Sequence, residues 1–289
     1  MEEALAFLKE ETRDGLLPWS SQSAAVQKFG MSYAAIEGLA LENGLFPARY
    51  QRNRNMISTA DQLRLFQSRV AVIGCGGLGG YVIEELARLG VGHIVAIDPD
   101  IFEEHNLNRQ ILSTPATLGK AKVEAALERV AEINPAVTVT PFKDAFCLAN
   151  GSEYLAGVHV VVDALDSIPY RLELAEVSTA ANVPMVHGAI GGWYGHVATQ
   201  LPGDTTVQNI YRHWVAGKGI EQQLGNPSFT PAVVASLEVA EVCKILLGKG
   251  ELLRNRKLTI DLLEMDVHEI SYEVEPVQLV DEPGRLAIG

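Results

Sequence analysis

The sequence predicts an α/β chain: a doubly wound, mostly parallel sheet, extended by antiparallel C-terminal strands and preceded by a small helical N-terminal appendage. Three observations lead there. An apolar run, Val70-Ala-Val-Ile73, enters the glycine-rich turn Gly74-Cys-Gly-Gly-Leu-Gly79; a helical pattern follows, and a second apolar run ends in Asp98. Beyond it, strand and helix patterns keep alternating. Continuous Val/Ile runs such as Val158-His-Val-Val-Val-Asp163 suit strands covered on both faces. This is the layout of a Rossmann-like βαβ unit. Gly74 allows the tight turn, Gly76 lets backbone approach a phosphate, and Gly79 lets the helix pack closely on the strand.

Composition sets the outer bounds. The chain has 289 residues, 47% hydrophobic and 20% charged, an ordinary globular balance with room for a large core. A net charge of −13 argues against nucleic acid and anionic membrane surfaces as partners. Three cysteines, Cys75, Cys147 and Cys243, are too few and too scattered for a disulfide framework or a four-cysteine zinc site. No apolar run reaches transmembrane length and the N-terminus is acidic, so a cytoplasmic location is expected.

In chain order, residues 2–13 read as one helix, with Leu5 and Leu8 on a common face. Two short helices joined at Gly30-Met31 follow, faintly like a helix-turn-helix. Residues 1–45, however, carry seven acidic and three basic side chains, which would repel a phosphate backbone. They read as an appendage, with the main domain spanning 46–289. Arg49, Arg52, Arg54, Arg64 and Arg69 then fall in a stretch whose one acid is Asp61, a local reversal of charge that suggests a nearby anion or a solvated helix face. Ser58-Thr-Ala-Asp61 has the form of a capping box opening a helix to about residue 67. Strands are expected at 69–74, 93–98, 136–142, 158–163 and 183–189. Helices are expected at 77–89, 119–133, 167–181 and 230–248. Residues 196–201, 257–261 and 266–274 read as antiparallel strands, and 202–229 as a long crossover loop.

The chemistry lies after the second strand. In a doubly wound sheet the carboxyl ends of the strands converge on one crevice, so Asp98 and Asp166 both face the glycine turn. Asp98 can accept ribose hydroxyls, Arg109 and Lys122 can neutralise a triphosphate, and Asp166 can hold magnesium, which takes one or two carboxylates plus phosphate oxygens. Cations and a metal aimed at phosphates suit phosphoryl or nucleotidyl transfer better than hydride transfer. Each residue also has a plainer reading. Asp166 could cap the helix starting near Ser167, Lys122 could lie on the helix surface, and Arg109 could pair with Glu103 or Glu104.

These residues together resemble the MoeB/ThiF/HesA family, the prokaryotic relatives of ubiquitin-activating enzymes. The matching pieces are Arg49-Tyr-Gln-Arg52-Asn, the glycine turn, Asp98-Pro-Asp100, Asn106-Leu-Asn-Arg109-Gln and Gly119-Lys-Ala-Lys122-Val. Asn134-Pro135, Asp163-Ala-Leu-Asp166, Val183-Pro-Met-Val-His-Gly188 and Thr230-Pro-Ala-Val-Val-Ala complete the set, across about residues 46–275. The resemblance implies adenylation, with ATP and magnesium, of the C-terminal glycine of a ubiquitin-like sulfur carrier ending in Gly-Gly, releasing pyrophosphate. By motif, Gly74, Gly76, Gly77, Leu78, Gly79, Asp98 and Asp100 form the nucleotide site. Asn106, Arg109 and Lys122 act on the triphosphate, Asp166 serves magnesium, and Arg52 reaches the other subunit's site in a homodimer.

Two departures narrow the reading. Many family members carry paired zinc cysteines near the last long helix; here those regions read Leu224-Gly-Asn-Pro-Ser228 and Glu273-Val-Glu-Pro276, so zinc is not expected. Residues 202–229 contain no cysteine to capture the product, so the reaction is expected to stop at the adenylate. His187, His196 and His213 receive no role. The single terminal glycine of Arg285-Leu-Ala-Ile-Gly289 reads as a tail, not a fused carrier. The competing readings are an NAD(P)-dependent oxidoreductase using the same turn, and a non-catalytic nucleotide-binding scaffold.

Overall fold

The computed structural model describes residues 1–214 and 224–272. The N-terminal helices are α1 (Glu2–Glu11), α2 (Trp19–Phe29) and α3 (Tyr33–Glu42), with β1 (Leu16–Leu17) pairing in parallel with β2 (Phe46–Pro47). Helix α2 stops at Gly30, whose φ of 64° closes the helix in the left-handed region, and Ser32 caps α3 by accepting from Ala35 N. Ala4, Leu8, Leu17, Ala25, Ile36 and Leu39 form a small apolar core of their own.

That unit is joined to the rest through a buried polar knot. The Tyr50 hydroxyl donates to Glu37 Oε1 at 2.6 Å and accepts from Asn134 Nδ2 at 2.8 Å. Asn134 Nδ2 also donates to the Ala87 carbonyl, and Arg49 donates to Asn134 Oδ1. The Arg49 guanidinium lies 4.5 Å from the Trp19 ring centroid.

Helix α4 (Thr59–Phe66) opens on the expected capping box of Ser58 and Asp61. The alternating region then supplies β3 (Arg69–Ile73), α5 (Gly77–Leu89), β4 (His93–Ile97), α6 (Lys122–Ile133), β5 (Thr138–Phe142), α7 (Gly151–Tyr154), β6 (Val160–Asp163), α8 (Ile168–Ala180) and β7 (Met185–Gly191). After it come β8 (Tyr194–Gln200), α9 (Thr206–Ile210), α10 (Phe229–Leu247), β9 (Arg256–Asp261) and β10 (Asp266–Ser271). Among the described residues, eight strands form one sheet in the order β10-β9-β8-β7-β6-β3-β4-β5. Strands β7 through β5 are parallel, and β8, β9 and β10 are added antiparallel. The fold class read from the sequence therefore holds. Pro141 sits in β5 at the sheet edge, where its missing N–H breaks no ladder.

Alternate residues of each central strand feed two cores. Val70, Val72, Ile94 and Val162 pack under α5, α6 and α10, whereas Ala71, Ile73, Val95 and Val161 pack under α8 and its neighbours. Such burial contributes about 1.5–3 kcal/mol per large apolar side chain.

Two expectations need correction. Helix α6 begins at Lys122, not 119, because residues 119–121 turn back to pair with the chain after β4. Gly119, with φ of 81°, donates to the Phe102 carbonyl, and Phe102 N donates to that of Lys120. The crossover stretch 202–229 is not loop throughout, since α9 forms within it and Val207 N donates to Gln200 Oε1 at 2.8 Å. Residues 215–223 of that stretch, residues 273–274 of the expected last strand and the tail at 285–289 lie outside the described residues.

One core group is unusual. Glu238 on α10 is fully buried, and neither carboxyl oxygen has a hydrogen-bond partner among the described residues. It fits because Gly188 lacks a Cβ, which would collide with that carboxyl. Burial, reinforced by the negative charge of Asp163, pushes its pKa well above the usual 4.5. A folded-state pKa above the unfolded value means that the folded chain binds more protons between the two. Stability contributed by this group is therefore present below pH 4.5 and is lost as pH rises through the folded pKa. In urea titrations between about pH 5 and about pH 8, Glu238→Gln is expected to flatten that decline and to exceed wild type at the alkaline end.

Candidate active site

A cleft of about 520 Å³ opens at the carboxyl ends of β3, β4 and β6, where the strand order reverses. Two loops press together there. Gly74 has φ of 96°, and a Cβ on it would lie 2.6 Å from the Ala164 carbonyl oxygen. Gly79 sits one turn into α5, against the Gly74 carbonyl, where any side chain would collide; its part is packing. Gly76, Gly77 and Leu78 line the cleft, and the N-terminus of α5 opens toward it. Free N–H groups and the helix dipole favour an anion at that point.

Asp98 follows β4 and is only 5% exposed. Its Oδ2 accepts from Cys75 N at 2.7 Å and its Oδ1 from Asp100 N at 2.8 Å, so one carboxylate ties the glycine turn to the chain beyond β4. Each oxygen keeps a lone pair for a further donor. Lys122, 7% exposed, is not a surface residue. Its Nζ donates to Asp100 Oδ2 at 2.8 Å and stands 3.7 Å from Asp98 Oδ1. The refolded 119–121 segment puts it there, through Lys122 N donating to the Asp100 carbonyl at 3.0 Å.

Arg109 reaches the cleft from the long connection after β4, where Nη1 donates to the His105 carbonyl and to Asn108 Oδ1. Burial lowers its pKa, and the nearby Asp166 works in the opposite direction. The acid that acts on Arg109 is thus Asp166, not Glu103 or Glu104. Asp166 is exposed at the mouth of the cleft. The cap reading for it also falls, because Ser167 takes the N-cap position of α8 and no side chain caps that helix. Asn106 is buried and shapes the connection, its Oδ1 accepting from Glu103 N. It also lines an adjoining recess of about 420 Å³ together with Arg109, Lys122, Lys143 and Asp166. Arg52 lies exposed on the 3-10 turn Ala48–Asn53 and does not line the cleft.

Sequence reasoning assigned no role to three wall residues. Gln110 follows Arg109 directly; it is buried, and its Oε1 lacks a partner among the described residues. Asn226 lines the opposite wall, with Oδ1 in the same condition. Arg171, the one basic residue of α8, is buried in the wall. Two of the three histidines left unassigned, His187 and His196, meet at 3.1 Å between their Nε2 atoms behind the floor of the cleft.

The donor set suits a nucleoside triphosphate, with two cations, a helix N-terminus and unpaired acceptors converging on one crevice. It also suits magnesium. Among the described residues no group of three or more His, Cys, Asp or Glu side chains could hold a metal, so an ion at Asp166 would draw its other ligands from phosphate and water, the usual magnesium mode. Two of the three thiols are not poised for attack. Burial pushes Cys75 well up and Cys243 to about 11. Among the described residues no helix is long and apolar enough to cross a membrane.

Comparison with known proteins agrees with this geometry. The model of the ThiF family matches residues 50–278. The SAMP-activating enzyme E1 of Haloferax volcanii is 34% identical over 79% of this chain and 86% of its own length. The sulfur carrier protein adenylyltransferase of Thermus thermophilus is 31% identical over 79% of this chain and 88% of its own. Among solved structures, Escherichia coli MccB superposes with a TM-score of 0.67 at 23% identity, covering 93% of this chain and 85% of that one; at that identity it speaks to the fold.

Asp98→Asn sets an amide N–H₂ against backbone N–H donors and leaves one of them without its acceptor. It is expected to lower the unfolding free energy by about 2–3 kcal/mol in urea titrations.

Proposed function

The chain belongs to the ThiF family, and from that premise we propose that it is an ATP-dependent adenylyltransferase acting on the C-terminal glycine of a ubiquitin-like sulfur carrier that ends in Gly-Gly. The product is an acyl adenylate, serving molybdenum- or tungsten-cofactor, thiamine or related sulfur transfer. The observation that carries this reading is the convergence of Asp98, Asp100, Arg109, Lys122 and Asp166 on the crevice beside the glycine turn. The relatives in Haloferax and Thermus, named for SAMP activation and for sulfur-carrier adenylylation, support the substrate class.

In the proposed reaction a carboxylate oxygen of the carrier's terminal glycine attacks the α-phosphorus of ATP. A C(O)O–P bond forms, the bond from the α-phosphorus to the bridging oxygen breaks, and pyrophosphate leaves with the electron pair. Nucleophile and electrophile are both anionic, so the site must cancel their repulsion and stabilise charge on the leaving group. Arg109, Lys122 and the N-terminus of α5 supply that positive potential. Asp98 receives the ribose hydroxyls with its remaining lone pairs, and Asp100 orients the Lys122 ammonium. No general base is required, because the attacking carboxylate is ionised at neutral pH. Magnesium, when bound at Asp166, supplies further neutralisation of phosphate charge. With no cysteine in residues 202–229 and the Cys75 and Cys243 thiols raised by burial, the reaction stops at the adenylate. In a homodimer, Arg52 from its exposed turn would serve the other subunit's site.

Carrier-dependent exchange of labelled pyrophosphate into ATP tests the proposal. Wild type is expected to exchange only with a Gly-Gly-terminated carrier, and Arg109→Ala and Asp166→Ala to lose at least about a hundredfold. Undiminished exchange in both variants would overturn the assignment.

A further inference from the structure

From the wall of the cleft inward, several side chains that the adenylation chemistry leaves unused form a hydrogen-bonded ring. Arg171 on α8 is 1% exposed. Its Nε and Nη2 donate to the Leu165 carbonyl at 3.1 and 2.8 Å, and its Nη1 donates to the Tyr211 hydroxyl at 2.8 Å. The Tyr211 oxygen lies 3.1 Å from His187 Nε2, and His187 Nδ1 lies 2.7 Å from Asp163 Oδ2. Asp163 Oδ1 then accepts from Leu165 N at 3.1 Å and returns the ring to its start.

The direction is fixed at the arginine, and His187 Nε2 has a second neighbour, His196 Nε2, at 3.1 Å. Arginine donates and never accepts, so the Tyr211 oxygen accepts from Arg171. The imidazole faces Asp163 through Nδ1 and Tyr211 through Nε2. Both backbone polar groups of Leu165 are thus held, the N–H by Asp163 and the carbonyl by Arg171, one residue before Asp166. Four of the five ring members belong to the sheet, its β6–α8 loop or α8. Tyr211 alone comes from the crossover stretch, just beyond α9. Residues 204–207 of that stretch are held by Val207 N on Gln200 and by the paired contacts of Arg254 with Asp204 at 2.6 and 2.7 Å.

We propose that Tyr211 is a positioning residue for Asp166: by closing the ring around Leu165 it makes the placement of the metal-holding carboxylate depend on how residues 204–211 are seated. The inference rests on the reading of Asp166 as the magnesium ligand. A hydroxyl acting at this remove belongs to the outer shell of partners that orient a ligand without touching the metal, where a substitution costs about tenfold or more in metal affinity.

The test is calorimetric titration of the full chain with α,β-methylene-ATP, once with magnesium and once with EDTA. Tyr211→Phe keeps the ring and its packing and removes only the hydroxyl. It is expected to reduce the magnesium-dependent tightening by about tenfold. The affinity in EDTA is expected to stay within about twofold of wild type, an outcome that general loosening of the fold would not give. Arg171→Lys cannot hold both Leu165 and Tyr211, and adding it to Tyr211→Phe is expected to cause little further loss, since both cut one ring. Unchanged magnesium dependence in Tyr211→Phe, or equal weakening in both buffers, overturns the inference and leaves the adenylation reading standing. Failure of wild type to bind the analogue in either buffer overturns that reading, and the inference with it.

Discussion

The buried carboxylate of Asp98 is the constraint on which the site depends. A buried carboxylate is costly unless it is hydrogen-bonded and its charge is met. Here two backbone N–H groups and the Lys122 ammonium meet it, and each fixes a different piece of chain. Cys75 N brings the glycine turn to the end of β4. Asp100 N bends the chain as it leaves that strand. Lys122 requires α6 to start beside Asp100, which is why residues 119–121 fold back before the helix begins. Turn, strand end and helix start are consequences of satisfying one group.

A second constraint acts across the switch point of the sheet. Gly74 and the Ala164 carbonyl are in such close approach that the β3 and β6 loops behave as one wall. The glycine turn and Asp166 therefore share a frame, and the ring through Arg171, Tyr211, His187 and Asp163 stiffens that frame from behind. Charge in the cleft follows from the same arrangement. Arg109 is partly desolvated and feels Asp166, whereas Lys122 is pinned by two aspartates, so the two cations differ in how freely they can turn toward an incoming phosphate.

Much of this was legible in the sequence, because the fold is encoded locally. The Val/Ile runs, the glycine turn and the Ser58–Asp61 box each specify their element within a few residues, and the structure places them as read. The residues of the cleft were legible for a related reason: parallel strands deliver their carboxyl ends to one edge, so Asp98 and Asp166 line one crevice. What escaped reading depends on distance along the chain. Tyr50, Glu37 and Asn134 are separated by up to 97 positions, yet they form the knot that joins the N-terminal helices to the sheet. Tyr211 and Arg171 meet across 40 positions, through a stretch that reads as polar loop. Helix α9 escaped because five residues carry little periodicity. The late start of α6 escaped because the pattern of 119–133 does not reveal pairing with residues 100–102.

The central claim is that the cleft takes a nucleoside triphosphate rather than a dinucleotide. Thermal unfolding of wild type and Lys122→Ala, titrated in parallel with ATP–magnesium and with NAD, tests it most directly, since a ligand that binds the folded state raises the midpoint with its concentration. Wild type is expected to rise with ATP–magnesium, Lys122→Ala to lose that rise, and neither to rise with NAD. A rise with NAD and none with ATP–magnesium would contradict it.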